Sequence, residues 1–228
     1  MSRFPNPLIA AVDTSDPERA EALARGVAGA VAMLKVGLEL FTAAGPAAVR
    51  LLRRHAPVFL DLKLHDIPNT VRRAARNAGT LGAELLTVHA LGGPAMVAAA
   101  VSGVAEGAAA VGLAAPRVIA VTVLSSLAGE ALASPASLAF EAVEAGAAGV
   151  VASGPDVALV REALGPEPLL VVPGIRLVGG NGSGGDDQVR VLTPAEAIEA
   201  GADYLVVGRP ITEMADPGAA ARSLLRSL

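Results

Sequence analysis

Eight short apolar runs rich in Val, Leu and Ile recur along this chain, and Ala/Glu/Arg-rich stretches with helical spacing lie between them. Runs of this length without polar alternation mark strands buried on both faces, as in parallel sheets. They place strands near residues 7–13, 33–37, 58–63, 85–90, 118–124, 149–153, 169–174 and 204–208. Helices are expected near 16–30, 45–55, 69–81, 94–110, 136–145, 156–163, 194–200 and 216–226. Asp16 before Pro17 reads as an N-cap with Pro at the first helical position, and Thr193 with Glu196 reads as a capping box closed by Gly201. Eight strand–helix units predict an α/β fold, a (β/α)8 TIM barrel, in preference to a doubly wound open sheet. No Pro/Ser-rich linker divides the chain, so residues 1–228 read as a single domain.

The composition limits what such a barrel can do. Hydrophobic residues make up 53% of the chain and aromatics only 2%, so the core must be built from small and branched side chains. A net charge of −4, with no basic cluster interleaved with aromatics, speaks against a nucleic-acid partner. Cys is absent, which removes disulfides, thiol nucleophiles and thiolate metal sites. The opening MSRFPNPLIAAVD has no signal-type apolar stretch, and no apolar run approaches the length of about 18 residues that a span needs. The expectation is a cytoplasmic protein with no membrane partner.

Active sites of such barrels lie at the carboxyl ends of the strands. In chain order those ends carry Asp13, Lys35, Asp61 with Lys63, His89, Ser125 with Ser126, Ser153, Arg176, and Gly208 with Arg209. Nearly every strand therefore ends in a polar or charged group facing one mouth. Asp61 and Lys63 are two apart on one strand, so both should face the same side. With Lys35 and Asp66 they make an alternating set of charges that can satisfy itself, either as a plain ion-pair network or as a catalytic array. The lysines favour catalysis. Of 18 cationic residues only Lys35 and Lys63 are Lys, although Arg is the better structural partner for a carboxylate. An ammonium is compact and can give up its proton, so Lys63 reads as a proton donor.

Pro173-Gly174-Ile175-Arg176 and Gly208-Arg209 follow strands 7 and 8, the usual place for a barrel phosphate site. Between them the Gly-rich run RLVGGNGSGGDDQVR reads as a lid, with Gln188 or Arg176 reaching inward. The three His do not form a metal set: their spacing fits no zinc pattern, His55 reads as solvated and His89 as a hydrogen-bonded core residue.

The stretch DLKLHDIPNTV resembles the signature of the bacterial-type orotidine 5′-phosphate decarboxylase family. LKVGLELF, VTVLSS, PGIR, DQVRVLTPAEAI and VVGRPIT resemble further segments of that family in the same order, nearly end to end. The resemblance implies the same barrel and the loss of CO2 from orotidine 5′-monophosphate to give UMP, with no cofactor and no metal. It implies Lys63 as proton donor, with Lys35, Asp61 and Asp66 completing the charged array. Asp13 and Lys35 would hold the ribose, and Ser126 with Ser125 beside it would face the pyrimidine. Pro173, Arg176, Gln188, Gly208 and Arg209 would bind substrate, chiefly its phosphate. A homodimer is implied, with Asp66 and Thr70 entering the partner's site. LSS stands where many members have Leu-Thr-Ser, and NGSGGDDQ where an acidic-Gly-Asp-Gln run is commoner.

Three other readings share these residues. Sugar-phosphate decarboxylases and hexulose-phosphate synthases resemble the D-x-K-x-x-D pattern but use Mg2+ and lack Ile67-Pro68-Asn69-Thr70. A Schiff-base aldolase would use Lys63 as nucleophile. A non-catalytic phosphate-ligand barrel would have no call for lysines in an Arg-rich chain.

Overall fold

A computed structural model describes residues 3–123, 134–175 and 192–228. Its eight strands are β1 (Leu8–Val12), β2 (Met33–Val36), β3 (Val58–Leu64), β4 (Leu85–His89), β5 (Arg117–Val121), β6 (Gly149–Val151), β7 (Leu169–Val172) and β8 (Tyr204–Val207). All neighbours pair in parallel, and β1 closes on β8 through Leu8↔Leu205 and Ile9↔Val206. The closure decides between the barrel and the open sheet, in favour of the barrel.

Period-2 alternation sorts each strand into two cores. Inward positions form a compact cluster of Ile9, Ala11, Met33, Phe59, Leu85, Ile119, Leu169, Val171, Tyr204 and Val206. Outward positions such as Leu8, Leu34, Leu60, Leu86 and Leu170 join a larger layer beneath the helices. Phe59 and Tyr204 are the aromatics in this cluster, and the rest is aliphatic or Met. Phe4 stacks on Tyr204 at 4.7 Å between ring centres, and Arg3 donates to the carbonyls of Pro166 and Glu167 at 3.1 and 2.8 Å. The amino-terminal segment thus covers the floor of the barrel and leaves the opposite mouth for chemistry.

The helices are α1 (Pro17–Val27), α2 (Leu38–Ala44), α3 (Pro46–Leu52), α4 (Pro68–Gly79), α5 (Pro94–Ala110), α6 (Pro135–Glu144), α7 (Asp156–Leu164), α8 (Pro194–Glu199), α9 (Arg209–Thr212) and α10 (Pro217–Leu225). Asp16 caps α1 through the N–H groups of Glu18 and Arg19, and Thr193 with Glu196 forms the expected capping box on α8. The helix expected over 45–55 is α3, and α2 ahead of it was not expected; Gly45 at φ 57° turns the chain between the two, and Pro46 starts the second. The short α9 was not expected either, because Gly-Arg-Pro reads as a turn. Strand 6 stops at Val151 rather than near 153.

Two features brace this frame. Arg161 on α7 donates to the carbonyls of Gly165, Pro168 and Gly201 and to Asp203 Oδ2 at 2.8 Å. Asp203, 3% exposed, also accepts from Leu170 N at 2.8 Å through the same oxygen, so its buried charge is paired and ties α7, β7 and β8 together. On the other side α4 and α5 pack backbone to backbone. A Cβ on Gly103 or Gly107 would lie 2.3 Å from the Arg72 carbonyl or 1.9 Å from that of Arg76. That contact fixes α4, and with it the exposed segment at residues 65–70 that leads into the helix.

Gly107→Ala is expected to lose about 1–3 kcal/mol of stability through overpacking. The gain in helix propensity, about 0.5–1 kcal/mol, is too small to offset a collision with a backbone carbonyl. Urea unfolding of the variant beside the parent checks the sign.

Candidate active site

The inward cluster of the barrel is apolar, and polar groups gather at the carboxyl ends of strands 1 to 4. Asp13 follows β1 directly, Lys35 lies on β2, Asp61 and Lys63 on β3, and Thr87 and His89 on β4. Their side chains form a chain of alternating charge. Lys35 Nζ donates to Asp13 Oδ1 at 2.8 Å and lies 3.9 Å from Asp61 Oδ2, and Lys63 Nζ donates to that same oxygen at 2.8 Å. The Asp61 and Lys35 side chains are each 12% exposed, while Asp13 at 54% opens to solvent. A buried carboxylate is tolerated only when paired, and Asp61 has two ammonium groups for the purpose.

Asp61 and Lys63 meet as expected, but not through simple strand alternation. The register of β3 against β4 runs Leu60↔Leu86 and then Leu64↔Val88, so two extra residues of β3 are bulged outside the ladder. Lys63 sits in that bulge at φ 50°, alone among the described non-glycine residues in having positive φ. Side-chain carbon makes the left-handed region costly for Lys, and such outliers concentrate at functional positions. The amine reaches Asp61 because the backbone is turned. Thr87, fully buried, spans the gap left by the bulge: its Oγ1 accepts from Lys63 N at 2.8 Å and donates to Asp61 Oδ1 at 2.9 Å. Thr87 escaped the sequence reading. The available signal was one hydroxyl on the inward side of an otherwise apolar strand. Gly37 escaped as well: a Cβ there would come within 2.9 Å of Lys35 Nζ and 3.3 Å of Asp13 Oδ1.

Asp66 does not join the array of its own chain. It is exposed, and its Oδ1 accepts from Ile67 N at 2.7 Å, so it shapes the turn before α4. Thr70 is exposed in the first turn of that helix. Pro173 and Gly208 lie half-buried directly after β7 and β8, and Arg209 is exposed at the start of α9. Ser125 and Ser126 fall within 124–133, and Arg176, Gln188 and the lid within 176–191, outside the described residues.

The histidines correct two expectations. His55 is not solvated: its side chain is 18% exposed and its buried Nε2 has no hydrogen-bond partner, with Glu21 Oε1 3.6 Å away. His89 lacks a partner at its buried Nδ1 and faces the His65 ring at 5.3 Å. Burial, first, then the neighbouring His65 and Lys63, lower the His89 pKa below its ordinary value of 6.5, against the opposing pull of Asp61. Among the described residues no group of three His, Asp or Glu is placed to hold a metal ion, and no helix is long and apolar enough to cross a membrane.

A closed (β/α)8 barrel with an alternating lysine–aspartate array at its carboxyl-terminal mouth has the architecture of the barrel enzymes, whose active sites are built from strand-end side chains. The comparisons narrow that class. The model of the orotidine 5′-phosphate decarboxylase / HUMPS family matches residues 6–224, and the chain belongs to that family. It is 54% identical over 232 residues to the orotidine 5′-phosphate decarboxylase of Anaeromyxobacter sp. (strain K), covering 97% of both chains. It is 50% identical to that of Moorella thermoacetica, covering 95% of this chain and 90% of that one. Among solved structures, the orotidine 5′-phosphate decarboxylase of Lactobacillus acidophilus superposes with a TM-score of 0.81 at 35% identity, over 97% of this chain and 98% of the other.

A His kept neutral in the fold must take up a proton when it unfolds in mild acid, so the unfolded state binds more protons below pH 6.5. The stability contributed by neutral His89 is therefore complete above 6.5 and is lost as pH falls through the depressed folded value. His89→Gln is expected to flatten the decline in melting temperature between pH 7.5 and pH 5.5, checked by thermal melts in matched buffers.

Proposed function

We propose that the protein is an orotidine 5′-phosphate decarboxylase, converting orotidine 5′-monophosphate to UMP and CO2 at the end of de novo pyrimidine nucleotide synthesis, within a single barrel domain and in the cytoplasm. The observation that carries the reading is the chain Asp13–Lys35–Asp61–Lys63 at the barrel mouth, joined by contacts of 2.8, 3.9 and 2.8 Å. Asp61 and Lys63 lie within the stretch DLKLHDIPNTV, Asp13 and Lys35 come from the two preceding strand ends, and the arrangement fits the family to which the chain belongs.

The bond from C6 of the pyrimidine to its carboxylate breaks, CO2 departs, and the electron pair stays on C6. The ring delocalises that charge poorly, so a cation must stand beside it. Lys63 as an ammonium stabilises the developing carbanion, then delivers a proton from Nζ to C6, forming the C6–H of UMP. The neutral amine afterwards recovers a proton from water. Asp61, pressed between two ammonium groups, holds Lys63 in place, and its charge near the departing carboxylate favours the state in which that carboxylate has become CO2. Lys35 and Asp13 hold the ribose, with Lys35 also neutralising Asp61. No step draws on a metal or an organic cofactor.

Ser126, with Ser125 beside it, contacts the pyrimidine. Pro173, Arg176, Gln188, Gly208 and Arg209 bind substrate, mainly at the phosphate; the position of Gly208 directly after β8, with Arg209 opening the short α9, supports this. Grip on the phosphate and closure of the lid provide binding energy remote from the reacting bond. Asp66 and Thr70 act across a homodimer interface in the partner's site. Their exposure supports that, as does Ile67 between them, 67% exposed on the same segment.

Lys63→Arg keeps the charge but not the compact, proton-giving amine, and is expected to lower kcat on the order of 10³-fold with fold and UMP binding retained. The measurement is the ultraviolet absorbance change as orotidine 5′-monophosphate becomes UMP. Retention of substantial turnover by this variant would overturn the proton-donor role. The parent enzyme is expected to keep its full rate after EDTA treatment. A rate that collapses in EDTA and returns with Mg2+ would instead favour the metal-using sugar-phosphate relatives.

A further inference from the structure

We propose that Thr87 is a positioning residue for Lys63: its buried hydroxyl ties the left-handed backbone of the β3 bulge to the Asp61 carboxylate and thereby aims the Lys63 amine. The catalytic part of this inference rests on the function proposed above; the structural part does not.

The bulge leaves Lys63 N–H without a strand partner, since β3 and β4 resume their ladder only at Leu64↔Val88. The replacement partner is Thr87 Oγ1 at 2.8 Å. A threonine hydroxyl has one proton and two lone pairs. Because the Lys63 N–H occupies a lone pair, the hydroxyl proton is free for Asp61 Oδ1, 2.9 Å away, and an ionised carboxylate can only accept. The orientation of the hydroxyl is therefore settled by its two neighbours. Lys63 is held at both ends by one carboxylate: its backbone through Thr87 to Oδ1, its amine directly to Oδ2 at 2.8 Å. This small closed circuit accounts for a lysine at φ 50°, a conformation that persists only where surrounding contacts over-determine it.

The plain alternative is that Thr87 is a β-branched residue filling a buried inward position on β4. It has 0% exposure, and the inward residue before it, Leu85, belongs to the apolar interior. On that alternative Val, which has the same shape without the hydroxyl, would serve as well. On the proposal Val leaves the Lys63 N–H and one Asp61 oxygen without their bonds. The bulge can then relax out of the left-handed region, and the amine swings away from its station.

The test compares Thr87→Val and Thr87→Ser with the parent, using two readouts. The chain has only two lysines, so selective 13C-lysine labelling gives one set of side-chain NMR signals for Lys63 and one for Lys35. Thr87→Val is expected to move the Lys63 Cε signal more than that of Lys35. It is expected to lower kcat for orotidine 5′-monophosphate by about 10- to 100-fold, the scale of a small misplacement, while KM stays within a few-fold. Thr87→Ser, which keeps the hydroxyl, is expected to leave signal and kcat near the parent's, and this arm decides the matter even if the Val variant does not fold. An unmoved Lys63 signal in Thr87→Val, or a Ser variant that shifts the signal and loses kcat as a hydroxyl-free one would, overturns the proposal. If the parent does not turn over this substrate, the functional reading falls alone, because the Lys63 signal still decides what Thr87 does.

Discussion

Asp61 is the group around which the mouth of this barrel is arranged. Its residue is 9% exposed, and it engages Lys63, Lys35 and Thr87 together. An ionised carboxylate at that depth is stable only while these partners stay in place. Each comes from a different constraint: Lys35 from the inward parity of β2, Thr87 from that of β4, and Lys63 from a bulge that breaks the parity of β3. The barrel brings them together because adjacent parallel strands end at similar heights on one rim.

The remainder of the structure keeps that rim fixed. The floor is covered by Phe4 on Tyr204, and one flank is clamped by the Arg161–Asp203 pair with its carbonyl bonds. The opposite flank depends on glycines that let α4 and α5 touch backbone to backbone, so the segment at residues 65–70 has a defined base. These supports use no charge from the mouth, so the fold's bracing does not draw on the lysine–aspartate array. The family to which the chain belongs, and the relatives it matches end to end, fit that division.

Much of the architecture was legible from residue order. Buried strands such as LIAAV and YLVV are apolar on both faces because one side meets the barrel interior and the other the helices. Helix starts were legible where capping is chemical, as at Asp16 and Thr193. The start after Gly45 was legible too, but the short α2 before it was not, because Leu38–Ala44 follows β2 with only Gly37 between them and carries no side-chain cap. Of the site, the ionic residues stood out because charge at the end of an apolar run is conspicuous. Thr87 and Gly37 did not, because a hydroxyl or a missing side chain gains meaning only beside its neighbours in space. His55 was misjudged because its burial is set by elements distant in sequence, and His89 because whether a core imidazole finds a hydrogen-bond partner is decided the same way.

The sequence by itself determined the barrel, the rim at which the polar strand ends gather and the residues that supply the charge there. Those follow from local rules, the period of apolar residues and the rarity of lysine. Only the tertiary structure decided how Lys63 is aimed. Its amine meets Asp61 through a bulge whose backbone N–H bonds to a hydroxyl 24 residues away, and no pattern within β3 alone encodes that bond. It likewise decided that Asp66, although it lies three residues beyond Lys63, turns outward to its own backbone, because the chain has by then left the strand.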